Sequence, residues 1–394
     1  MTKLRHIGLL PRIAAAIALG IGAGFVLPEW AARCFATFNS LFSSFLGFII
    51  PLLIVGFVAP AIAEIGRRAG SMLLATVVIA YLMTFGSGAL AYLSSVTFFP
   101  SMIAPDSYIA TETAASGSPA PFFTVDVPPL MGVTSALVLA FVLGFGCAML
   151  TSAQALKKGL DGFRDIIKLV IDKAIIPLLP IYIFGIFLDM TIGGKVGPVL
   201  LTFVKIIAVI FCLHVGVLVL QYCIASLFSR KNPFKCLWTM MPAYFTALGT
   251  QSSAATIPVT LERTVAMGVD RDIAGFTIPL CATIHMSGST LKIVSCALAL
   301  MILHGMPYDF GMFAGFIAML GITIIAAPGV PGGAIMASLG LLSSILGFSD
   351  ADNAMMIALY IAMDSFGTAC NITGDGAIAQ IVARLFRKNP ERQV

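Results

Sequence analysis

The sequence is divided into long stretches without a charged residue, and this pattern constrains the fold more than any other feature. The uncharged stretches are residues 13–28, 34–63, 69–105, 127–156, 174–188, 206–229, 236–261, 273–291, 293–308, 310–349 and, apart from Asp375, 365–383. A helix needs about 20 apolar residues to cross a bilayer, so most stretches suit one crossing. Charged residues make up 10% of the chain, against about 25% in soluble domains. We therefore predict an all-α polytopic membrane protein, because a β-barrel would show short alternating segments.

Two of these stretches do not fit a single crossing and predict helical hairpins. The stretch 236–261 has 26 residues with a polar centre at Gly249–Pro258, so it is too short to cross twice. The stretch 310–349 has 40 residues, and the prolines and glycines of its centre, Ala327–Gly333, interrupt an ordinary helix. Non-helical backbone at membrane depth is tolerated where protein buries it. The sequence thus predicts eight transmembrane helices and two hairpins.

An interrupted helix is predicted after each hairpin. The first interruption is at Thr283–Ser289 and the second at Asn371–Asp375, where Gly374 favours a local opening of the helix. Small residues that only allow close helix packing are the alternative explanation. Two hairpins and two broken helices in matched order instead favour inverted repeats, which are typical of a transporter with a binding site near the bilayer midplane.

The last apolar stretch carries two carboxylates within the segment DSFGTACNITGD, which begins at Asp364 and ends at Asp375. A charge near the bilayer centre costs at least ~2.5–3.5 kcal/mol, so such a residue usually belongs to a binding site or pathway. On a regular helix the two carboxylates lie on one face, with Thr368 and Asn371 near the same stripe. They would be about 16 Å apart, too far to share a proton as an aspartyl protease requires, so no enzyme is predicted.

His285 and Lys292 are two further ionisable residues at membrane depth. Lys292 lies far from a helix end, which favours a fixed cation or proton-linked group at the site; the alternative is a side chain that snorkels to the interface. His285 is equally consistent with a hydrogen-bonded core histidine. No residues have zinc-site spacing, and the eight cysteines, none in a C-x-x-C pattern, are predicted to be reduced.

The distribution of Lys and Arg predicts the orientation. The loop 101–129 has neither residue, whereas the N-terminus, the loops at 67–68 and 230–235, and the C-terminal tail are basic. Basic loops stay in the cytoplasm, so both termini are predicted to be cytoplasmic. The net charge of +5 follows from these loops and gives no reason to expect nucleic-acid binding. The N-terminal apolar segment is predicted to be an uncleaved first span.

These motifs resemble those of the dicarboxylate/amino acid:cation symporter family, which has the glutamate-transporter fold. The resemblance covers nearly the whole chain and is most specific from Tyr244 onward. It rests on QSSAATIPVT at 251–260, LCATIHMSGS at 280–289, GVPG at 329–332 and DSFGTACNITGD at 364–375. It implies a homotrimer in a bacterial inner membrane, no organic cofactor, and sodium or protons as coupling ions. The neutral amino acid, serine/threonine-type bacterial members are the most similar branch.

The resemblance also implies the residues of the binding sites. The substrate would be bound by the hairpin tips and the last helix, at Ser252, Ser253, Gly329, Val330, Pro331, Gly332, Asp364, Gly367, Thr368 and Asn371. Cations would be bound at Cys281, Thr283, His285, Met286, Asn371 and Asp375, with Asn371 and Asp375 as sodium ligands.

Departures from the family pattern carry information about the substrate and the ions. Gly367 stands where acidic-substrate members have an Arg, and Gln251 stands at the alternative Arg position. Without a guanidinium to bind a second carboxylate, a neutral substrate is implied, and Gly367→Arg should favour acidic substrates. His285 and Ser287 replace an Asn and an Asp that coordinate sodium, so fewer sodium ions are expected, with Lys292 as a tethered cation.

The function implied is a secondary-active symporter that brings a serine-, threonine- or alanine-like amino acid into the cell with sodium by an elevator mechanism. A proton-coupled or exchange-only carrier, and a dicarboxylate or acidic amino acid symporter with a modified site, are the alternatives. By the same resemblance, residues 1–70 and 131–192 form a scaffold, and residues 71–100 and 193–394 form a transport domain. Residues 101–130 are an external loop.

Overall fold

The protein is all-α in the part of the chain that the computed structural model describes, which comprises residues 9–67, 71–103, 119–194, 196–325 and 332–386. In chain order the α-helices are α1 (Leu9–Gly24), α2 (Glu29–Arg67), α3 (Ser71–Met102), α4 (Val133–Met149), α5 (Gln154–Val170), α6 (Ile176–Ile192), α7 (Val196–Ser229), α8 (Pro233–Thr250), α9 (Ser253–Ala266), α10 (Arg271–Ile284), α11 (Ser287–Leu303), α12 (Phe310–Ile325), α13 (Gly333–Leu346), α14 (Asp350–Ala362) and α15 (Asp364–Leu385).

Several of these helices are long and apolar enough to cross a membrane. Five segments qualify by length and composition, namely Glu29–Ala63, Ser71–Met102, Thr151–Ile192, Val199–Ser229 and Arg271–Leu303. The bent pair α14–α15 is a sixth candidate, and α1 and α4 are shorter apolar helices. The prediction of an all-α polytopic membrane protein is confirmed.

The first predicted hairpin consists of α8 and α9, which pack against each other and against α15. The chain reverses at Gln251, whose φ of 53° lies in the left-handed region. Ser252 then caps α9, because its hydroxyl accepts a hydrogen bond from the backbone N–H of Ala255 at 3.2 Å. A serine at this position satisfies one of the first free N–H groups of a helix. The polar centre read from the sequence is therefore the turn of the hairpin.

The second hairpin consists of α12 and α13, which also pack against each other. Residues 326–331, which include the predicted site residues Gly329, Val330 and Pro331, lie outside the described part of the chain. Gly332 immediately precedes α13 with a φ of 77°, a conformation that glycine adopts without steric cost.

The first predicted interruption is present and the second is not where the sequence placed it. Helix α10 ends at Ile284 and α11 begins at Ser287, as expected. In contrast, the segment Asn371–Asp375 lies within the continuous helix α15, and the break comes earlier, at Met363, where α14 and α15 meet at 63°. The prediction of an opened helix at Asn371–Asp375 is therefore wrong.

Gly374 explains that error, because it serves packing and not chain reversal. A Cβ atom at Gly374 would overlap Oε1 of Gln221, on α7, and Cε1 of His285, in the α10–α11 break. A glycine within a helix costs about 0.5–1 kcal/mol relative to alanine, and here it allows two polar side chains to approach the backbone of α15. The same residue type thus has a different role from the one its sequence context suggested.

Contacts among the helices form two main groups. Helices α2 and α4 pack together, as do α1 and α6, while α15 packs on α7, α8 and α10. Tyr182, on α6, connects α2 with the start of α14: its hydroxyl donates to the carbonyl oxygen of Asp350 at 3.2 Å and lies 3.0 Å from the Ser43 hydroxyl oxygen. The division into scaffold and transport domain remains a prediction.

Candidate functional site

The α10–α11 break lies against the middle of α15, and Asn371 holds it there. Asn371 Oδ1 accepts hydrogen bonds from the backbone N–H groups of Gly288 at 2.7 Å and Ser289 at 3.3 Å. Its Nδ2 donates to Ser289 Oγ at 3.1 Å and contacts Met286 Sδ at 3.5 Å. The first N–H groups of a helix lack intrahelical partners, so Asn371 caps α11 from a neighbouring helix. Its side chain is used for this structural purpose.

Asp375 is paired with His285, and both side chains are fully buried. His285 Nδ1 lies 2.9 Å from Asp375 Oδ1 and 3.1 Å from the carbonyl oxygen of Asn371. Both of these neighbours are acceptors, so we assign the hydrogen to Nδ1. On the other side of the ring, Nε2 is 2.6 Å from Ser287 Oγ, to which Gln221 Nε2 donates at 2.8 Å. His285 is therefore held in one orientation by residues of α7, α11 and α15.

The second oxygen of Asp375 is not paired in the same way. Oδ2 is buried and has no hydrogen-bond partner among the described residues. A buried carboxylate oxygen without a partner is unfavourable unless a positive charge or a donor meets it. The residues present therefore fit a small cation at this oxygen, although His285 already occupies the other one.

Asp364 is paired with Lys292 at the beginning of α15. Lys292 Nζ lies 3.3 Å from Asp364 Oδ1 and 3.3 Å from the carbonyl oxygen of Met363, and 3.6 Å from the ring centroid of Tyr360. The Lys292 side chain is 0% exposed, which rules out the snorkelling alternative. The second oxygen, Asp364 Oδ2, accepts a hydrogen bond from the Gly332 N–H at 2.9 Å. Asp364 thus joins the second hairpin to the broken helix.

Gly367 is the residue that makes room for this cation. A Cβ atom at Gly367 would overlap Cε and Nζ of Lys292. No described residue brings a guanidinium to Asp364, and an ammonium group from α11 lies where the side chain of residue 367 would begin. The positive charge beside Asp364 therefore comes from Lys292 on α11. In the acidic-substrate pattern it would come from an Arg at position 367, on the last helix.

The other predicted site residues lie at different places in the structure. Ser252 and Ser253 lie at the turn of the first hairpin, and Thr368 is buried on α15, one turn after Asp364. Cys281 is buried on α10, and its carbonyl oxygen accepts the His285 N–H at 2.8 Å.

Only the side chain of Thr283 turns away from this cluster, and the role predicted for the backbone carbonyls around it stays a prediction. Its side chain is exposed, and its hydroxyl donates to the carbonyl oxygen of Leu280 within α10 at 2.7 Å. Its side-chain oxygen therefore does not belong to the cluster around Asp375.

Several residues of the site were not found from the sequence. Gln221 is the only side-chain amide in the stretch 206–229, and its isolation among apolar residues was a signal that was not used. Tyr360, whose hydroxyl donates to Ser289 Oγ at 3.0 Å, and Ser87, whose hydroxyl donates to the Ser287 carbonyl oxygen at 2.8 Å, gave no distinctive signal. Both are ordinary residue types for a membrane helix.

Comparison with known proteins gives consistent matches over almost the whole chain. The profile of the sodium:dicarboxylate symporter family matches residues 9–385. A serine/threonine transporter SstT of Streptococcus thermophilus is 28% identical over 383 positions, covering 93% of both chains. A protein of the same name from Acinetobacter baumannii is 28% identical over 404 positions, covering 98% of both chains.

Proposed function

The chain belongs to the sodium:dicarboxylate symporter family, and on this basis we propose that it brings a small neutral amino acid of the serine, threonine or alanine class into the cell together with sodium. It is a multi-pass membrane transporter and not an enzyme. One observation carries the proposal: Asp364 and Asp375 are both buried on α15, where Asp375 contacts the break between α10 and α11 and Asp364 contacts the start of α13 in the second hairpin. The names of the two relatives support the substrate class.

Asp364 is the proposed acceptor for the ammonium group of the substrate. Its carboxylate lies between Lys292 and the N-terminal end of α13, next to Gly332. The N-terminal ends of α9 and α13 are the proposed places for the substrate carboxylate, since helix N-termini favour negative charge. With Gly367 in place of an arginine, one ammonium and one carboxylate remain. Their charges sum to zero, which suits a zwitterion better than an acidic amino acid.

Asp375 is the proposed sodium ligand. Its unpartnered oxygen Oδ2 supplies the negative charge, and the backbone carbonyl of Asn371 lies close by, within 3.1 Å of the His285 ring. Because His285 occupies Oδ1, we expect fewer sodium ions per cycle than in a site built from oxygen ligands alone. Both proposed sites lie on α15, so sodium binding at Asp375 and substrate binding at Asp364 would be coupled through this helix.

Access would alternate by movement of the transport domain (residues 71–100 and 193–394) against the scaffold (residues 1–70 and 131–192), with the two hairpins as gates. With this division, the hydrogen bond from Tyr182 to the Asp350 carbonyl would cross between the two units. The assembly proposed is a homotrimer in a bacterial inner membrane, with both termini in the cytoplasm.

Uptake by purified protein in proteoliposomes tests this function. With an inward sodium gradient, labelled serine, threonine or alanine should accumulate, and without sodium the accumulation should be lost. Unlabelled aspartate should compete at least about tenfold less well than serine, because its second carboxylate meets no guanidinium. Liposomes without protein are the control for leakage.

Two results would contradict the proposal in different ways. Aspartate competing as well as serine would mean that the site accepts a second carboxylate. Accumulation that is equal with and without sodium would mean that another ion or exchange drives transport.

A further inference from the structure

Lys292 is a cation within the site that binding of a neutral amino acid does not require. A substrate ammonium needs only the carboxylate of Asp364, and yet a protein ammonium already occupies that carboxylate at 3.3 Å. Among the described residues, Lys292 Nζ also contacts the Met363 carbonyl oxygen at 3.3 Å and the face of the Tyr360 ring at 3.6 Å. These contacts can keep the Lys292 ammonium in place when the substrate ammonium also binds Asp364.

The contacts of Lys292 are also long. Nitrogen–oxygen hydrogen bonds in proteins are usually 2.7–3.2 Å, and bonds between ionised groups are shorter still. Both polar contacts of Nζ lie just beyond that range. The two groups are close enough for their charges to cancel, and the ammonium is shared between the carboxylate and a neutral carbonyl oxygen.

A carrier that works against a gradient must return across the membrane without its substrate. During that step Asp364 would carry an unpaired negative charge through a region of low dielectric, which is strongly unfavourable. Either a cation from solution accompanies the empty site, or the protein supplies the charge itself. In this chain Lys292 supplies the positive charge, and Gly367 leaves the space that its ammonium group occupies.

We propose that Lys292 is the tethered cation of the transport cycle: its ammonium neutralises Asp364 whenever the substrate is absent, so the empty carrier returns without a counter-transported cation. The inference rests on the proposed function, since it assumes a substrate whose ammonium binds Asp364. It assigns to Lys292 a role in the return step, distinct from binding the substrate or sodium.

Charge balance in the loaded state follows from the same arrangement. The substrate ammonium binds Asp364, and its carboxylate faces the helix N-termini, so a zwitterion adds no net charge. Lys292 and Asp364 together also carry none. The pair is therefore neutral in both halves of the cycle with a neutral amino acid, whereas an acidic substrate would leave one negative charge unmatched.

The test separates net uptake from exchange. In net uptake the vesicles contain no substrate, so the carrier must return empty; in exchange both sides contain serine, so it never does. Lys292→Met removes the charge and keeps the length of the side chain. We expect net uptake to fall at least about 30-fold, from the cost of moving an unpaired carboxylate, and serine–serine exchange to fall at least about tenfold less than net uptake does.

Three further variants sharpen the result. Lys292→Gln removes the charge but keeps a donor for Asp364, and it should behave like Lys292→Met even if the latter folds poorly. Lys292→Arg keeps the charge but adds bulk beside Gly367, so it should lower both activities in parallel while keeping more net uptake relative to exchange than Lys292→Gln does. Lys205→Met is the matched control, because Lys205 is also a lysine in a membrane helix but donates to the Met102 carbonyl oxygen, away from Asp364.

The outcomes distinguish this inference from the function on which it rests. Equal loss of net uptake and exchange in folded Lys292→Met and Lys292→Gln would overturn it, since Lys292 would then serve binding or folding. Wild-type net uptake that requires a cation inside the vesicles, such as potassium, would also overturn it. Wild-type protein that transports no neutral amino acid in either assay would overturn the proposed function, and the inference with it.

Discussion

Replacing Asp375 by asparagine is expected to abolish sodium-dependent serine uptake while leaving the protein folded. Asparagine keeps the shape of the side chain and an oxygen that can accept from His285 Nδ1, now 2.9 Å from the carboxylate. It removes the negative charge that the unpartnered oxygen Oδ2 offers to a cation. Loss of one member of a buried charged interaction costs about 2–5 kcal/mol, so sodium-driven uptake should fall by more than about 30-fold.

Asp270→Asn is the matched control for this variant. Asp270 is an exposed carboxylate in the same part of the protein, where it caps α10 by accepting from the backbone N–H groups of Asp272 and Ile273. Asparagine is an equally good cap, so this variant should transport like the wild type. Uptake at increasing sodium concentration is the measurement. If Asp375→Asn kept the sodium dependence of the wild type, the cation would have to bind elsewhere.

Replacing Gly367 by arginine is expected to inactivate the transporter. From the sequence alone this change should favour acidic substrates, but the structure places Cε and Nζ of Lys292 where the new Cβ would lie. Inserting side-chain atoms into a packed interior costs about 1–3 kcal/mol, and here a second cation would also be forced beside the first. Serine uptake should therefore fall by more than about tenfold, without a matching gain for aspartate.

A smaller substitution isolates the steric part of this effect. Gly367→Ala should reduce uptake, whereas Gly216→Ala, on α7, should not, because a Cβ atom at Gly216 meets no atom within 4 Å. Normal uptake by Gly367→Ala would show that Lys292 is free to move away from α15.

Removing the Lys292 side chain should restore part of the uptake that Gly367→Arg abolishes. In the double variant Gly367→Arg with Lys292→Ala, the space is vacated and the positive charge comes from α15, beside Asp364. Uptake should partly recover, and aspartate should gain relative to serine because a guanidinium binds a second carboxylate in a two-point geometry. Competition of both amino acids for labelled serine measures the shift. If the double variant transported no better than Gly367→Arg alone, overlap with Lys292 would not be the cause of the lost uptake.

The fold class and the hairpins could be predicted from the sequence because they depend on local composition. Uncharged stretches of about 20 residues have to be buried in lipid or protein, and a Ser-rich or Pro-Gly centre within such a stretch cannot remain a regular apolar helix. The turn at Gln251 and the break at His285 lie where that composition placed them. Asp364 and Asp375 stood out for an equally local reason, the cost of a carboxylate at membrane depth.

Only the tertiary structure decided what each polar residue of the site contacts. Lys292 and Asp364 are 72 residues apart, and His285 and Asp375 are 90 apart, so no local pattern pairs them. The roles of Gly374 and Gly367 were not readable from the sequence either, since a glycine can indicate chain flexibility or the close approach of a neighbour. Which of the two applies depends on the neighbour: Gln221 and His285 pack on Gly374, and Lys292 packs on Gly367. The sequence by itself determined that buried charges line one helix, and the packing of α7 and α11 against α15 determined how they are neutralised.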